Sequence, residues 1–336
     1  MGSKTRAGAP LLHAISRLVS LSVSTTCTSR RQNATGLFCI PYFHIIGVSK
    51  CGTTDLYRRL SLHPHMAPSR NKGPHFWDES HTIDWYLRLY DYSVSFIEQQ
   101  PSRAILGDAS SNTLTFSGIG VRNDRRTPVS LPTVLAALQP ALRLVAVLRN
   151  PVDRLYSSFY YYGHYVKRFG ADANGFHKFA QAQVAAYADN CPAGATARAC
   201  SIAGYGHAEQ LTKGLYAMFL PDYFAAFPRQ QLLVLRSEDY GADIGAGVAS
   251  VMAHIGLEQP PAAVWAAMVS KERSNSRRRN GQSRGGSAGE MLPETRRLLI
   301  AFYRVHNEAL AELLGDRRYL SWNDEAPEDT SAAAGG

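Results

Sequence analysis

The stretch Phe43-His44-Ile45-Ile46-Gly47-Val48-Ser49-Lys50-Cys51-Gly52-Thr53-Thr54-Asp55-Leu56-Tyr57 decides how the chain is read. Phe43 to Val48 is a short apolar run with β-branched residues, the pattern of a strand buried on both faces. A glycine loop follows. Thr53 to Leu62 then sets Leu56, Leu60 and the nearby Tyr57 on one helical face. A strand, a glycine loop and a helix N-terminus in that order cradle anions, because backbone N–H groups and the helix end converge on one oxygen cluster. Gly47, Gly52, Thr53 and Thr54 match most of the phosphate-loop pattern. In the nucleoside-triphosphatase form, lysine directly follows the second glycine. Here Thr53 holds that place and the lysine is Lys50, inside the loop, beside a first phosphate rather than a distant γ-phosphate. Taken alone, the stretch also reads as an ordinary strand–glycine–helix turn.

The next strand discriminates. Leu142 to Leu148 predicts a second buried strand that ends in Arg149-Asn150-Pro151, with a helix from near Val152 through Leu155, Phe159 and Tyr162. A nucleoside triphosphatase usually ends such a strand in a magnesium-holding aspartate. Arg149 instead offers a fork of donors to a phosphate. Ser157 adds a hydroxyl within the following helix, and Asp153 is placed either to cap that helix or to pair with Arg154. Leu232 to Leu235 predicts a third strand and Val248 to Ile255 a helix. Glu294 to Leu314 is the clearest helix, preceded by Pro293, ended by Gly315, with an apolar stripe of Leu298, Leu299, Phe302, Val305, Leu310 and Leu313. Strands alternating with helices predict an α/β fold of three layers: a parallel sheet covered by helices on both faces. Ligands of such a sheet sit at the carboxyl ends of its strands.

Composition sets the outer bounds. The 336 residues are 45% hydrophobic and 19% charged, which excludes wholesale disorder. A chain of this size buries about 75% of its unfolded surface and needs no staples. Five cysteines exclude a disulfide scaffold. Lys plus Arg number 36 against 27 Asp plus Glu, and the net charge of +9 favours an anionic partner. Residues 1–37 read as a targeting or flexible segment: Lys4, Arg6, Arg17, Arg30 and Arg31 occur before any acidic residue. The apolar run Pro10 to Cys27 is broken by His13 and Arg17 and falls short of the roughly 20 apolar residues a spanning helix needs. A poor signal anchor, a transit-like presequence and a flexible arm all fit it. Asn33-Ala34-Thr35 is a glycosylation sequon if the chain is secretory. Residues 324–336 read as a disordered tail, and residues 38–323 as one domain. Lys271 to Arg284 is strongly basic, but aromatic interleaving is absent and no nucleic-acid motif accompanies it, so nucleic acid is not the expected partner.

The loop Gly47 to Thr54 resembles the 5′-phosphosulfate loop of sulfotransferases that use 3′-phosphoadenylyl sulfate (PAPS), and Leu148 to Ser157 resembles their 3′-phosphate motif. Pro74-His75-Phe76-Trp77, Lys213-Gly214-Leu215-Tyr216-Ala217, Gln231 to Arg236 with Glu238-Asp239, and Ser274 to Arg278 extend the likeness over roughly Pro41 to Trp322. It is nearest to the N-acetylgalactosamine 4-sulfate 6-O-sulfotransferase group, with the heparan sulfate 3-O-sulfotransferases further off. The resemblance implies a P-loop-type fold, PAPS as co-substrate without a metal, and a sulfated glycosaminoglycan or other anionic polysaccharide as acceptor. It further implies the Golgi lumen, with a type II membrane anchor that is weak in this sequence.

It also implies roles. Ser49, Lys50, Cys51, Gly52, Thr53 and Thr54 hold the 5′-phosphate, and Lys50 neutralises the leaving oxygen. Arg149 and Ser157 grip the 3′-phosphate. Ser276, Arg277 and Arg278 close on the nucleotide. Cys51 is a packing residue, and Cys191 and Cys200, nine apart, match a similar pair of the resembled group, which implies a disulfide in an oxidising lumen, with two unrelated thiols as the alternative. Related enzymes carry Lys-Glu before the Pro-His-Phe run, with the glutamate as general base; here the pair is Lys72-Gly73. His75 oriented by Asp78 is the substitute base, with Glu79 and Asp108 as further carboxylates, against the alternative of a packing histidine beside Phe76 and Trp77. His63-Pro64-His65 reads as a solvated turn rather than a metal site. Two rivals stand beside this reading: a kinase with a displaced lysine, and a member that binds nucleotide or glycan without turnover because the glutamate is missing.

Overall fold

The computed structural model describes residues 27–29, 37–79, 81–115, 130–270 and 290–324. Its main sheet has four parallel strands in the order β4 (Gly107–Asp108), β3 (Phe43–Gly47), β5 (Arg143–Leu148) and β6 (Leu232–Arg236). β1 (Cys27–Ser29) pairs with β2 (Leu37–Cys39) as a separate antiparallel ribbon. The chain therefore has the α/β class that the alternating pattern predicts. β3 and β5 are the central strands because they are apolar on both faces: Phe43, Ile45, Ile46 and Leu144 to Leu148 are all fully buried. β4 has only two residues, too short for any periodicity, and its pairing of Asp108 with His44 is a product of tertiary structure.

α1 (Thr53–Leu60) leaves the carboxyl end of β3 through the glycine loop and buries Leu56, Tyr57 and Leu60. It stops two residues before the expected Leu62, where the backbone and hydroxyl of Ser61 both take the Tyr57 carbonyl. The helix Ile244–Ile255 packs on β5 and β6.

The chain divides into two compact units, residues 1–149 with 219–281 and residues 150–218 with 282–336. The first carries all the strands found among the described residues. The described part of the second is helical, with α2 (Pro151–Tyr161) and α3 (Pro293–Leu314) among its elements. Its core joins Leu155, Phe159, Phe176, Phe179, Leu299, Tyr303 and Trp322.

The stripe expected on α3 is rotated. Val305 is 61% and Leu313 36% exposed, while Thr295, Leu299, Tyr303, His306, Asn307 and Leu310 face inward. Tyr303 and Asn307 are accommodated on this buried face because their polar tips find partners: Tyr303 Oη donates to the Leu211 carbonyl at 2.7 Å, and Asn307 Nδ2 to Asn323 Oδ1 at 2.9 Å. At the start of α2 the cap is Asn150, whose Oδ1 accepts from the Val152 N–H at 3.0 Å. Asp153 pairs with Arg296 at 3.3 Å, not with Arg154, which is buried against Gln210. Cys191 and Cys200 form a disulfide.

Candidate active site

The loop after β3 folds as an anion cradle for local reasons. Gly52, the residue before α1, is left-handed at φ +100° and offers no side-chain cap, so the first N–H groups of the helix stay available. Lys50 is also left-handed, at φ +71°, between Ser49 and Cys51. The Ser49 hydroxyl is buried and has no hydrogen-bond partner among the described residues. Cys51 is fully buried, and its thiol donates to the Ser49 carbonyl at 3.9 Å. Arg149 reaches the same loop from the end of β5, Nη1 donating to the Lys50 carbonyl at 3.3 Å.

A second segment, Lys72 to Asp78, lies beside the loop. Lys72 Nζ donates to Thr53 Oγ1 at 3.2 Å, and the Lys72 carbonyl accepts from the Ala109 N–H at 2.8 Å. His75 has φ +57°; with Lys50 it makes up the non-glycine residues of positive φ among those described. Left-handed backbone at such residues costs on the order of 1–3 kcal/mol each and persists where surroundings hold it, commonly at functional sites. The His75 N–H is held by Ser110 Oγ at 3.0 Å, and Ser110 in turn bonds Asp108 through both its N–H and its hydroxyl. Asp108 is buried and also accepts from Tyr86 Oη at 3.0 Å and Tyr90 Oη at 3.4 Å.

The His75 side chain is 28% exposed, and Nδ1 meets both oxygens of Asp78, at 3.1 and 3.0 Å. A proton on Nδ1 shared with the carboxylate leaves Nε2 with a free lone pair in the neutral ring. Asn112 Nδ2 donates to Asp78 Oδ2 at 2.8 Å and fixes the carboxylate from the other side. The hydrogen bond to Asp78 raises the His75 pKa above its usual 6.5, and burial only partly opposes it. Phe76, stacked on Tyr86 with centroids 4.4 Å apart, and Trp77 are both buried.

Loop, histidine segment and Arg149 are thus joined by hydrogen bonds within the first unit. Ser157 lies on α2 in the second unit. Ser276, Arg277 and Arg278, with the rest of the Lys271–Arg284 run, lie outside the described residues, as do Asn33 and the tail beyond Asp324. Glu79 meets His81 at 3.1 Å. His63 is not solvated: it is buried, with Nε2 on the Glu258 carbonyl at 3.0 Å. Among the described residues no group of three or more His, Cys, Asp or Glu side chains is arranged to hold a metal ion, and no helix is long and apolar enough to cross a membrane.

Residues 41–287 match the sulfotransferase domain family. The chain belongs to that family. Human carbohydrate sulfotransferase 15 is 32% identical to this sulfotransferase over 316 residues, which cover 84% of the chain and 55% of the relative. The human bifunctional heparan sulfate N-deacetylase/N-sulfotransferase 2 is 24% identical over 294 residues, covering 82% of the chain and 29% of the relative. The sulfotransferase chain spans only part of the length of the curated relatives it matches, 55% in the first case. The solved sulfotransferase of Alicyclobacillus acidocaldarius superposes with a TM-score of 0.51 at 23% identity, over 83% of this chain and 97% of that one, which establishes the fold. Ser110 and Asn112 are site neighbours that no sequence spacing signals: they follow the two-residue strand β4, and only the parallel pairing of β4 with β3 brings them to the His75 segment.

Proposed function

We propose that this sulfotransferase moves the sulfuryl group of PAPS to a hydroxyl of a sulfated polysaccharide. The preferred acceptor is the 6-hydroxyl of N-acetylgalactosamine 4-sulfate in chondroitin or dermatan sulfate. The observation that carries the reading is a lysine-bearing anion loop hydrogen-bonded to the segment that presents a carboxylate-oriented histidine. The loop fits a 5′-phosphosulfate: its helix N-terminus is uncapped and Ser49 has a buried hydroxyl lacking a partner among the described residues. When bound, the nucleotide supplies an activated sulfuryl group on a good leaving oxygen.

The chain's residues do the rest. Lys50 and the N–H groups of Gly52, Thr53 and Thr54 bind the phosphate end and offset charge on the departing oxygen. Arg149 carries a guanidinium for the 3′-phosphate, with Ser157, Ser276, Arg277 and Arg278 as further contacts on the family pattern. His75 accepts the acceptor hydroxyl's proton at Nε2 while Asp78 stabilises the resulting imidazolium. The net charge of +9 suits an anionic acceptor. The Cys191–Cys200 disulfide and a disulfide-bonded Cys39 suit the oxidising Golgi lumen.

The test is incubation with labelled PAPS and a panel of sulfated and desulfated glycans, followed by disaccharide analysis. Label on the 6-position of chondroitin 4-sulfate units is the expected result. Transfer from ATP with magnesium and none from PAPS overturns the reading. A second reading, nucleotide or glycan binding without turnover, is favoured by Gly73 at the usual base position. Binding of PAPS with no label on any glycan selects it.

A further inference from the structure

Lys72 is a charged group of the site that the reaction above leaves unused. It is half-buried, and its Nζ donates to Thr53 Oγ1 at 3.2 Å. An ammonium has donors and no acceptor, so Thr53 must accept through its oxygen; its own single O–H proton is then free to be given elsewhere. Thr53 opens α1, where the uncapped helix N–H groups already point at the anion position.

We propose that Lys72 is a positioning cation of the phosphate loop, holding Thr53 by its oxygen so that the hydroxyl proton is directed to the nucleotide's 5′-phosphate, and adding a positive charge at the start of α1. The inference rests on the PAPS reading of the loop. A merely structural role as counter-ion of Asp108 accounts less well for the contact. Asp108 already takes four hydrogen bonds, from Tyr86, Tyr90 and both donors of Ser110, and Lys72 spends its ammonium on a neutral hydroxyl instead.

The surroundings make the charge readable by pH. Burial pushes the Lys72 ammonium down to about 8; Asp108 opposes this and Arg58, across on α1, adds to it. The other groups facing Asp108 stay fixed across the neutral to mildly alkaline range: Tyr57 is pushed up to about 12, Tyr86 and Tyr90 lie well above their usual value, and buried His44 is held neutral below its own. His75 titrates upward of its usual value and is present unchanged in every variant below.

The experiment is calorimetric binding of adenosine 3′,5′-bisphosphate to the full chain at about pH 7 and about pH 9.5, for wild type, K72M, K72R, T53V and the double variant K72M/T53V. Wild type is expected to lose about tenfold in affinity at the higher pH, the loss of one charge-assisted contact. K72M binds about tenfold more weakly at the lower pH and loses little more on raising it, whereas K72R keeps its affinity at both. The effects of K72M and T53V are expected not to add. The same pH loss in wild type and K72R, or full additivity of K72M with T53V, overturns the inference while leaving the PAPS reading intact. Should K72M fail to fold, the comparison of wild type with K72R decides alone. A wild-type chain that binds no bisphosphate at either pH overturns the PAPS reading itself, and this inference with it.

Discussion

Gly73 stands against the backbone after β4: a Cβ built on it would lie 2.6 Å from the carbonyl oxygen of Ala109 and 2.9 Å from the backbone nitrogen of Ser110. Real side chains do not approach backbone so closely. The position where the family resemblance leads one to expect a glutamate accepts no side chain here without moving the Asp108–Ser110 turn that holds His75. Restoring the glutamate is therefore not a clean rescue. G73A and G73E are expected to destabilise by about 1–3 kcal/mol and to lower transfer rather than raise it. Thermal melting and rates on the two variants check this; a faster G73E with unchanged melting refutes the close approach.

His75 and Asp78 predict a pH signature. Only the neutral imidazole accepts a proton, so transfer falls as pH drops through the His75 pKa, which lies above 6.5 because Asp78 stabilises the charged ring. D78N removes that stabilisation and is expected to move the acid limb of kcat/KM to lower pH, with a reduced plateau. H75A is expected to lose roughly 10²–10⁴-fold in rate. An unmoved limb in D78N means that another group is the base.

Lys50 is expected to matter for the reaction and little for the fold, since its side chain belongs to a loop whose shape is set by backbone. K50A should lower kcat by roughly 10²–10³-fold or more with a melting temperature close to wild type. Turnover retained in K50A removes the assignment.

Arg149 has two jobs in this reading, and they separate. Its hydrogen bond to the Lys50 carbonyl steadies the loop whatever nucleotide is present. The 3′-phosphate contact exists only for a nucleotide that carries one. R149A should thus weaken adenosine 3′,5′-bisphosphate by roughly 10–100-fold and an analogue lacking the 3′-phosphate by clearly less. Equal losses, measured by calorimetry, leave the loop contact as its whole role.

The Cys191–Cys200 bridge closes a short loop in the helical unit, with a sequence separation of nine. Serine at both positions is expected to cost on the order of 2–3 kcal/mol. Denaturant melting of the double variant, against wild type with and without reductant, measures it. No difference between the oxidised wild type and the variant contradicts the estimate.

The features legible in the residues before any folding are local. A buried β-branched run, two glycines and a helix start fix the phosphate loop, because backbone conformation and the helix end supply the donors there, whatever packs around them. The ends of α3 were legible for the same reason: Pro293 and Gly315 act on neighbouring dihedrals. So was the nearness of His75 to Asp78, three residues apart. Tertiary structure alone decided which face of α3 is buried, since Tyr303 and Asn307 read as polar until partners on other segments satisfy them. It also decided that Gly73 admits no side chain, that Lys72 reaches Thr53, and that Ser110 and Asn112 grip the histidine segment. Those contacts join residues up to 37 positions apart through β4, a strand of two residues whose place is set by pairing with β3 and by nothing in its own composition.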